Sequence, residues 1–326
     1  MRQLTLLTLI LALVVILLGA FTRLTDAGLG CPDWPGCYGF LTVPDGEQIA
    51  HAEARFPQRP VEAAKAWAEM IHRYVAGTLG LFILALALLS RRQRSGPKRL
   101  PWVLVGLVIF QAALGMWTVT LNLLPVVVMG HLLGGFAILS LLFLLWLRLP
   151  SGAEEGEAIT SGRSGRVFAL VALLVLITQI ALGGWTSANY ASLACTQLPI
   201  CEGQWWQGLT PQQAFSPLPP PAQSYEFGVL DYPARMTIHV SHRLWAGVTA
   251  LILLLLWWRL RAGGYRRESY ALAGLLVLQL LLGIINVAAT LPLPVAVAHN
   301  GVAALLLLSV VAANYRLWRT KGVVHG

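Results

Sequence analysis

The chain has 326 residues, 57% of them hydrophobic and only 11% charged, with a mean hydropathy of +0.68 and a formal net charge of +9. Soluble domains carry about 25% charged residues, so this composition excludes an ordinary water-soluble protein and points to a membrane one. The positive charge needs no nucleic-acid partner, because a basic rim suits the anionic cytoplasmic leaflet of a bilayer.

Crossing the hydrocarbon core as a helix takes about 20 mostly apolar residues. Eight runs meet that need, at 4–22, 68–90, 102–122, 125–147, 167–187, 237–258, 269–290 and 294–315. The first lacks a basic leader beyond Arg2 and reads as a retained helix rather than a cleaved signal. An even number of spans puts both termini on one side of the membrane. The connections 91–101, 148–166 and 259–268, with the two tails, hold 16 of the 23 Lys and Arg residues. Basic residues concentrate in short cytoplasmic loops, so these connections and both termini are expected in the cytoplasm.

Segments 23–66 and 188–235 then face outward. They contain all four cysteines, with one spacing used twice: Cys31 to Cys37 and Cys195 to Cys201. An oxidising compartment favours disulfides. The second pair reads as a structural staple. The first lies among the turn formers Gly28, Gly30, Pro32, Pro35 and Gly36, where either a staple or a redox pair is in keeping. Zinc is disfavoured, because no histidine motif accompanies the C-x5-C spacing.

The chain also resembles itself. His72 and His131 match His242 and His299, with 242 − 72 = 170 and 299 − 131 = 168. The pattern HR-x-x-AG occurs at His72 and again at His242, and Gln111-Ala-Ala-Leu-Gly115 matches Gln279-Leu-Leu-Leu-Gly283, again 168 apart. Span five carries a related Gln179-Ile-Ala-Leu-Gly183. Four spans per half make the repeat parallel, related by an axis along the membrane normal. The expected fold is therefore an all-α membrane protein of eight transmembrane helices in two pseudo-symmetric four-helix bundles. Residues 1–148 form the first, 149–166 a linker and 167–326 the second.

Ionisable side chains inside a bilayer usually mark a functional site. Neutral imidazole is a common ligand for iron and copper, and two imidazoles from opposed helices can hold a haem iron from both faces. Arg73 and Arg243 each follow a histidine directly, and a planar guanidinium suits a haem propionate. The halves differ at one place. Glu69 stands three residues before His72, and His239 three before His242, so each shares a helix face with its histidine. A carboxylate that can move protons or support positive charge makes the first half the candidate for chemistry.

The run Thr22-Arg23-Leu24-Thr25-Asp26-Ala27-Gly28-Leu29-Gly30-Cys31-Pro32-Asp33-Trp34-Pro35, together with Glu69-Met70-Ile71-His72-Arg73, resembles the haem A synthase family signature. The resemblance implies oxidation of the C8 methyl group of haem O to a formyl group through hydroxylated intermediates, giving haem A for terminal oxidases. It implies His72 and His131, with Arg73, around the substrate haem and Glu69 as the essential carboxylate. It also implies His242 and His299, with Arg243, around a haem b cofactor. Cys31 and Cys37 match a pair suggested to take part in haem handling or electron flow, whereas Cys195 and Cys201 look structural. The partners implied are haem O, a haem O synthase that delivers it, an electron donor and membrane lipid, with a homo-oligomer left open. A dihaem electron carrier would use the histidines and arginines equally well, but gives no reason for a carboxylate at one site only. A transporter built from repeated halves ranks last, since few acidic residues fall within the spans.

Overall fold

The computed structural model describes residues 1–92, 96–150 and 163–319. Ten α-helices follow in order: α1 (Arg2–Leu24), α2 (Glu47–Arg55), α3 (Ala63–Arg92), α4 (Arg99–Thr120), α5 (Pro125–Arg148), α6 (Arg163–Ala188), α7 (Pro211–Ala214), α8 (Tyr232–Ala262), α9 (Arg266–Ala288) and α10 (Leu293–Arg319). The described residues contain no β-strand. All but α2 and α7 are long and apolar enough to cross a membrane. Their outward faces are apolar as well, with Leu81, Ile109, Leu251 and Val277 exposed. Helices that satisfy their own backbone and present apolar side chains outward are what a bilayer accepts, and the chain is a multi-pass membrane protein. The expected linker falls mostly on residues 151–162, outside the described residues.

Each expected span is present, but α3 and α8 begin five residues earlier than hydropathy places them, at 63 rather than 68 and at 232 rather than 237. Their first turns are too polar to count as apolar. Asp231 caps α8, its carboxylate accepting from the Ala234 N–H at 3.1 Å, and Pro233 occupies the first turn, where its missing N–H costs nothing. The extensions matter because they place Glu69 and His239 well inside helices rather than at fraying ends.

The spans pack as two rings. In one, α1 touches α3, α3 touches α4, α4 touches α5 and α5 returns to α1; in the other the cycle is α6, α8, α9, α10 and back to α6. Helices α1 and α5 meet α6 and α10 between the rings, so α3, α4, α8 and α9 lie on the periphery. The shared core is dominated by leucine, with Leu139, Leu142 and Leu145 of α5 fully buried beside Val310 and Ala313 of α10. Helices α4 and α9 end in the same way: two residues in the left-handed region, Asn122 and Leu123 after α4 and Thr290 and Leu291 after α9, turn the chain into the next span. Two such consecutive non-glycine residues cost about 1–3 kcal/mol each and persist because packing fixes the turn.

Polar contacts join the rings at both ends. Toward the basic end, Asn314 donates to the Ala169 carbonyl at 2.9 Å and Tyr315 to the Leu147 carbonyl at 2.8 Å. At the end that carries the long loops, Arg23 donates to the Tyr190 hydroxyl and the Ser187 carbonyl, both at 2.6 Å, and lies 4.0 Å over the Tyr190 ring. Arg59 pairs with Glu226 at 3.0 Å between the two loops. Charge-assisted hydrogen bonds contribute about 1.5–3 kcal/mol each. Arg23→Ala is therefore expected to lower the thermal unfolding midpoint of the detergent-solubilised protein, with a loss of at least about 1.5 kcal/mol, whereas Arg59→Ala at the more exposed pair changes it by less than about 1 kcal/mol.

Candidate functional site

The four histidines occupy one diagonal of each ring. His72 on α3 faces His131 on α5 across the first ring, their ring centroids 6.4 Å apart with planes at 78°. His242 on α8 and His299 on α10 stand likewise across the second. The other diagonal supplies glycine. A methyl group added at Gly19 of α1 would lie 3.0 Å from His72 Cε1, and one at Gly115 of α4 would lie 3.2 Å from His131 Cε1. The second ring repeats this, with Gly183 of α6 at 3.1 Å from His242 Cε1 and Gly283 of α9 at 3.3 Å from His299 Cε1. Each imidazole is thus seated edge-on against bare backbone, an approach that only a residue without a side chain permits.

The spacing suits a metal group held between the rings of one pair. An imidazole nitrogen would sit about 2.0–2.1 Å from a bound first-row metal, so facing rings with centroids about 6 Å apart would leave room for one ion between them. The observed 6.4 Å for His72 and His131 fits. So does the hydrogen bonding: Nδ1 of His72, His131 and His299 is buried without a partner, so no protein group competes through these atoms. The donor set is all imidazole, which iron accepts.

Above each pair lies a disulfide-closed loop fastened by an arginine. Cys31 is bonded to Cys37 and Cys195 to Cys201. Arg73 donates through Nη1 to the carbonyls of Asp33 at 2.9 Å, Pro35 at 3.2 Å and Gly36, and through Nη2 to the Glu69 carboxylate. Glu69 is buried, 5% exposed, and its other oxygen accepts from the Cys31 N–H at 2.8 Å. Gly30 lets this loop lie flat on α3, since a methyl there would meet the Lys65 carbonyl at 2.6 Å. The second loop repeats the plan with a different residue. Arg243 donates to the carbonyls of Gln197 and Cys195, both at 2.6 Å, and of Ile200. His239, 4% exposed, stands where Glu69 does, its Nδ1 3.3 Å from the Cys195 N and its Nε2 3.1 Å from Arg243 Nε. Arg73 thus divides its donors between loop carbonyls and Glu69, and Arg243 between loop carbonyls and His239.

The chain matches the COX15-CtaA family, cytochrome oxidase assembly proteins, over residues 2–311. It belongs to that family. It is 56% identical over 314 residues to a heme A synthase of Shewanella oneidensis, covering 95% of this chain and 94% of that protein. Heme A synthases of Rhizorhabdus wittichii (26% identical, 97% of this chain and 93% of that protein) and a Chelativorans species (29%, 94% and 87%) are also similar along nearly their whole length.

Within this family member, every residue singled out from sequence lands in one of two places: the histidines across the rings, and Glu69, Arg73, Arg243 and the cysteines in the loop anchors. Sequence reasoning did not find the anchoring by arginine, nor the role of His239. The offsets carried a signal for the latter, since 239 − 69 and 243 − 73 both equal 170, the offset of His242 from His72. In Arg243→Ala, three loop carbonyls lose a charged donor, each worth about 1.5–3 kcal/mol. Hydrogen exchange of residues 195–201 is expected to rise at least tenfold, with exchange in α9 unchanged, as measured by mass spectrometry.

Proposed function

We infer that this chain catalyses the oxidation of the C8 methyl group of haem O to a formyl group, yielding haem A through hydroxylated intermediates. The observation that carries this reading is the difference between the two sites: both rings present a facing pair of imidazoles, but only the first has a buried carboxylate, Glu69, one turn from its histidine. In this reading His72 and His131 hold the substrate haem. His242 and His299 hold haem b, which supplies electron transfer when bound. Arg73 and Arg243 hold the disulfide loops in place over the two sites. Cys31 and Cys37 close the loop whose Cys31 N–H fixes Glu69, so any change at that pair reaches the carboxylate directly. Cys195 and Cys201 close its structural counterpart.

The residues divide the work. The apolar ring admits a large macrocycle with its isoprenoid tail from the bilayer, and the imidazoles orient it. Glu69 holds negative charge beside the site, with one oxygen on Arg73 and the other on the Cys31 N–H, and can stabilise positive charge that develops at the methyl carbon or accept a proton released there. The charge distribution supports a cytoplasmic location for both termini, which puts the cysteine loops and both imidazole pairs toward the outer face. A haem O synthase delivering substrate, an electron donor and lipid complete the partners, and a homo-oligomer is compatible with the apolar periphery.

A dihaem electron carrier would use the same imidazoles and leave haem unchanged. The test is to co-express the chain with a haem O source, extract the haems and weigh them. A formylated, farnesylated product is expected, and unchanged haem O would favour the carrier. Removing a positioned acid–base group costs about 10²–10⁴-fold. Glu69→Gln is therefore expected to lower haem A yield at least 100-fold, with haem O or a hydroxylated intermediate accumulating; an undiminished yield would remove Glu69 from the mechanism.

A further inference from the structure

The Gln-x-x-x-Gly segments end on the glycines that seat three of the four histidines. One helical turn before each glycine, the glutamine reaches the same histidine. It does so in two ways. Gln179 Nε2 is 3.2 Å from His242 Nδ1, and Gln279 Nε2 is 3.2 Å from His299 Nε2. Gln111 instead donates to the main-chain carbonyl of His131 and not to its ring. At His72 the residue four before Gly19 is Val15, which has no side-chain amide. Both imidazoles of the second ring touch a side-chain amide; neither imidazole of the first is hydrogen-bonded to one.

The unpaired atoms indicate what these contacts serve. Gln179 Oε1, Gln279 Oε1 and His299 Nδ1 are buried without hydrogen-bond partners. The oxygen and nitrogen of an amide are exchanged by a half-turn that leaves the shape of the side chain the same. Turning the Gln179 amide puts its unpaired Oε1 opposite His242 Nδ1. Turning the Gln279 amide puts its unpaired Oε1 opposite His299 Nε2, and the unpaired Nδ1 stays the free nitrogen of that ring. Each histidine then donates one ring N–H to a glutamine oxygen, which leaves its other nitrogen with the lone pair a metal ligand requires.

We propose that Gln179 and Gln279 are positioning residues that fix His242 and His299 in the metal-binding tautomer, making the second ring a site that retains its haem, while the first ring, lacking both contacts, suits a haem that enters and leaves. This rests on reading the histidines as haem ligands. An acceptor on the ring N–H also makes a ligating imidazole more basic, which favours the ferric state and lowers the midpoint potential of the bound haem.

The experiment uses the full-length protein purified in detergent with haem b bound. Haem loss to excess apomyoglobin and the midpoint potential are measured for the parent, Gln179→Leu/Gln279→Leu, Gln179→Glu and Gln111→Leu. Loss of a partner behind a metal ligand typically costs 10–100-fold in affinity. The double leucine variant is thus expected to lose haem about 10- to 100-fold faster and to show a raised potential. Gln179→Glu, a stronger acceptor, moves the potential the other way, a sign that a packing defect would not give. Gln111→Leu leaves the potential of the retained haem as in the parent. The proposal is overturned if the double leucine variant matches the parent in both measurements while His242→Ala/His299→Ala loses its haem. If that histidine variant keeps its haem, the ligand assignment itself is wrong, and the proposal goes with it.

Discussion

An imidazole inside an apolar helix bundle needs room for its ring and an occupation for its nitrogens, and this chain meets the first need with glycine. Gly19, Gly115, Gly183 and Gly283 each let a histidine edge approach to within 3.0–3.3 Å of where a methyl would stand. A ring wedged against backbone in this way cannot swing, so its nitrogens keep one direction. That constraint explains why the histidines and glycines sit on opposite diagonals. It also explains why the helices must close into rings: a diagonal pair exists only when four helices pack around a common axis.

The disulfide loops are the second layer of the same design. A loop that crosses the mouth of a helix ring carries carbonyls and N–H groups that water alone would satisfy poorly. Arg73 and Arg243 each gather three carbonyls, and Glu69 and His239 receive the cysteine N–H. The two receivers are not equivalent. A carboxylate has two oxygens and accepts from Cys31 and Arg73 at once. A neutral imidazole has one acceptor nitrogen, so His239 can accept from the Cys195 N–H or from Arg243, not both. The first loop is therefore the more firmly held, and it is the one beside the carboxylate assigned to chemistry.

Much of this was legible in the sequence because membrane helices advertise themselves: eight apolar runs, their basic ends and the paired His-Arg motifs needed only composition and counting. The starts of α3 and α8 were not legible, because their first turns carry Lys65 and Arg235 and fall below the hydropathy of a span, although the helices continue through them. The glycine seats were only half visible. Three follow a glutamine and form a recognisable motif, but Gly19 follows Val15 in a uniformly apolar helix, and nothing local marks it. The arginines pointed to a carboxylate in sequence terms, since a guanidinium beside a presumed ligand suggests a propionate. Their loop carbonyls come from residues 37–40 positions earlier for Arg73 and 43–48 for Arg243, and only folding brings them together.

The two halves differ at the loop anchors and at the imidazoles. Beside the first pair the anchor is Glu69 with Arg73, an ion pair on one helix. Beside the second it is His239 with Arg243, and the Glu202 carboxylate of the same loop acts on Arg243 from outside the helix. The glutamine amides touch both rings of the second pair and neither ring of the first. In the proposed reading, fixed tautomers at the ligands favour holding a haem in place, whereas rings without amide contacts and a carboxylate within one turn favour binding a haem loosely enough to alter it and let it go.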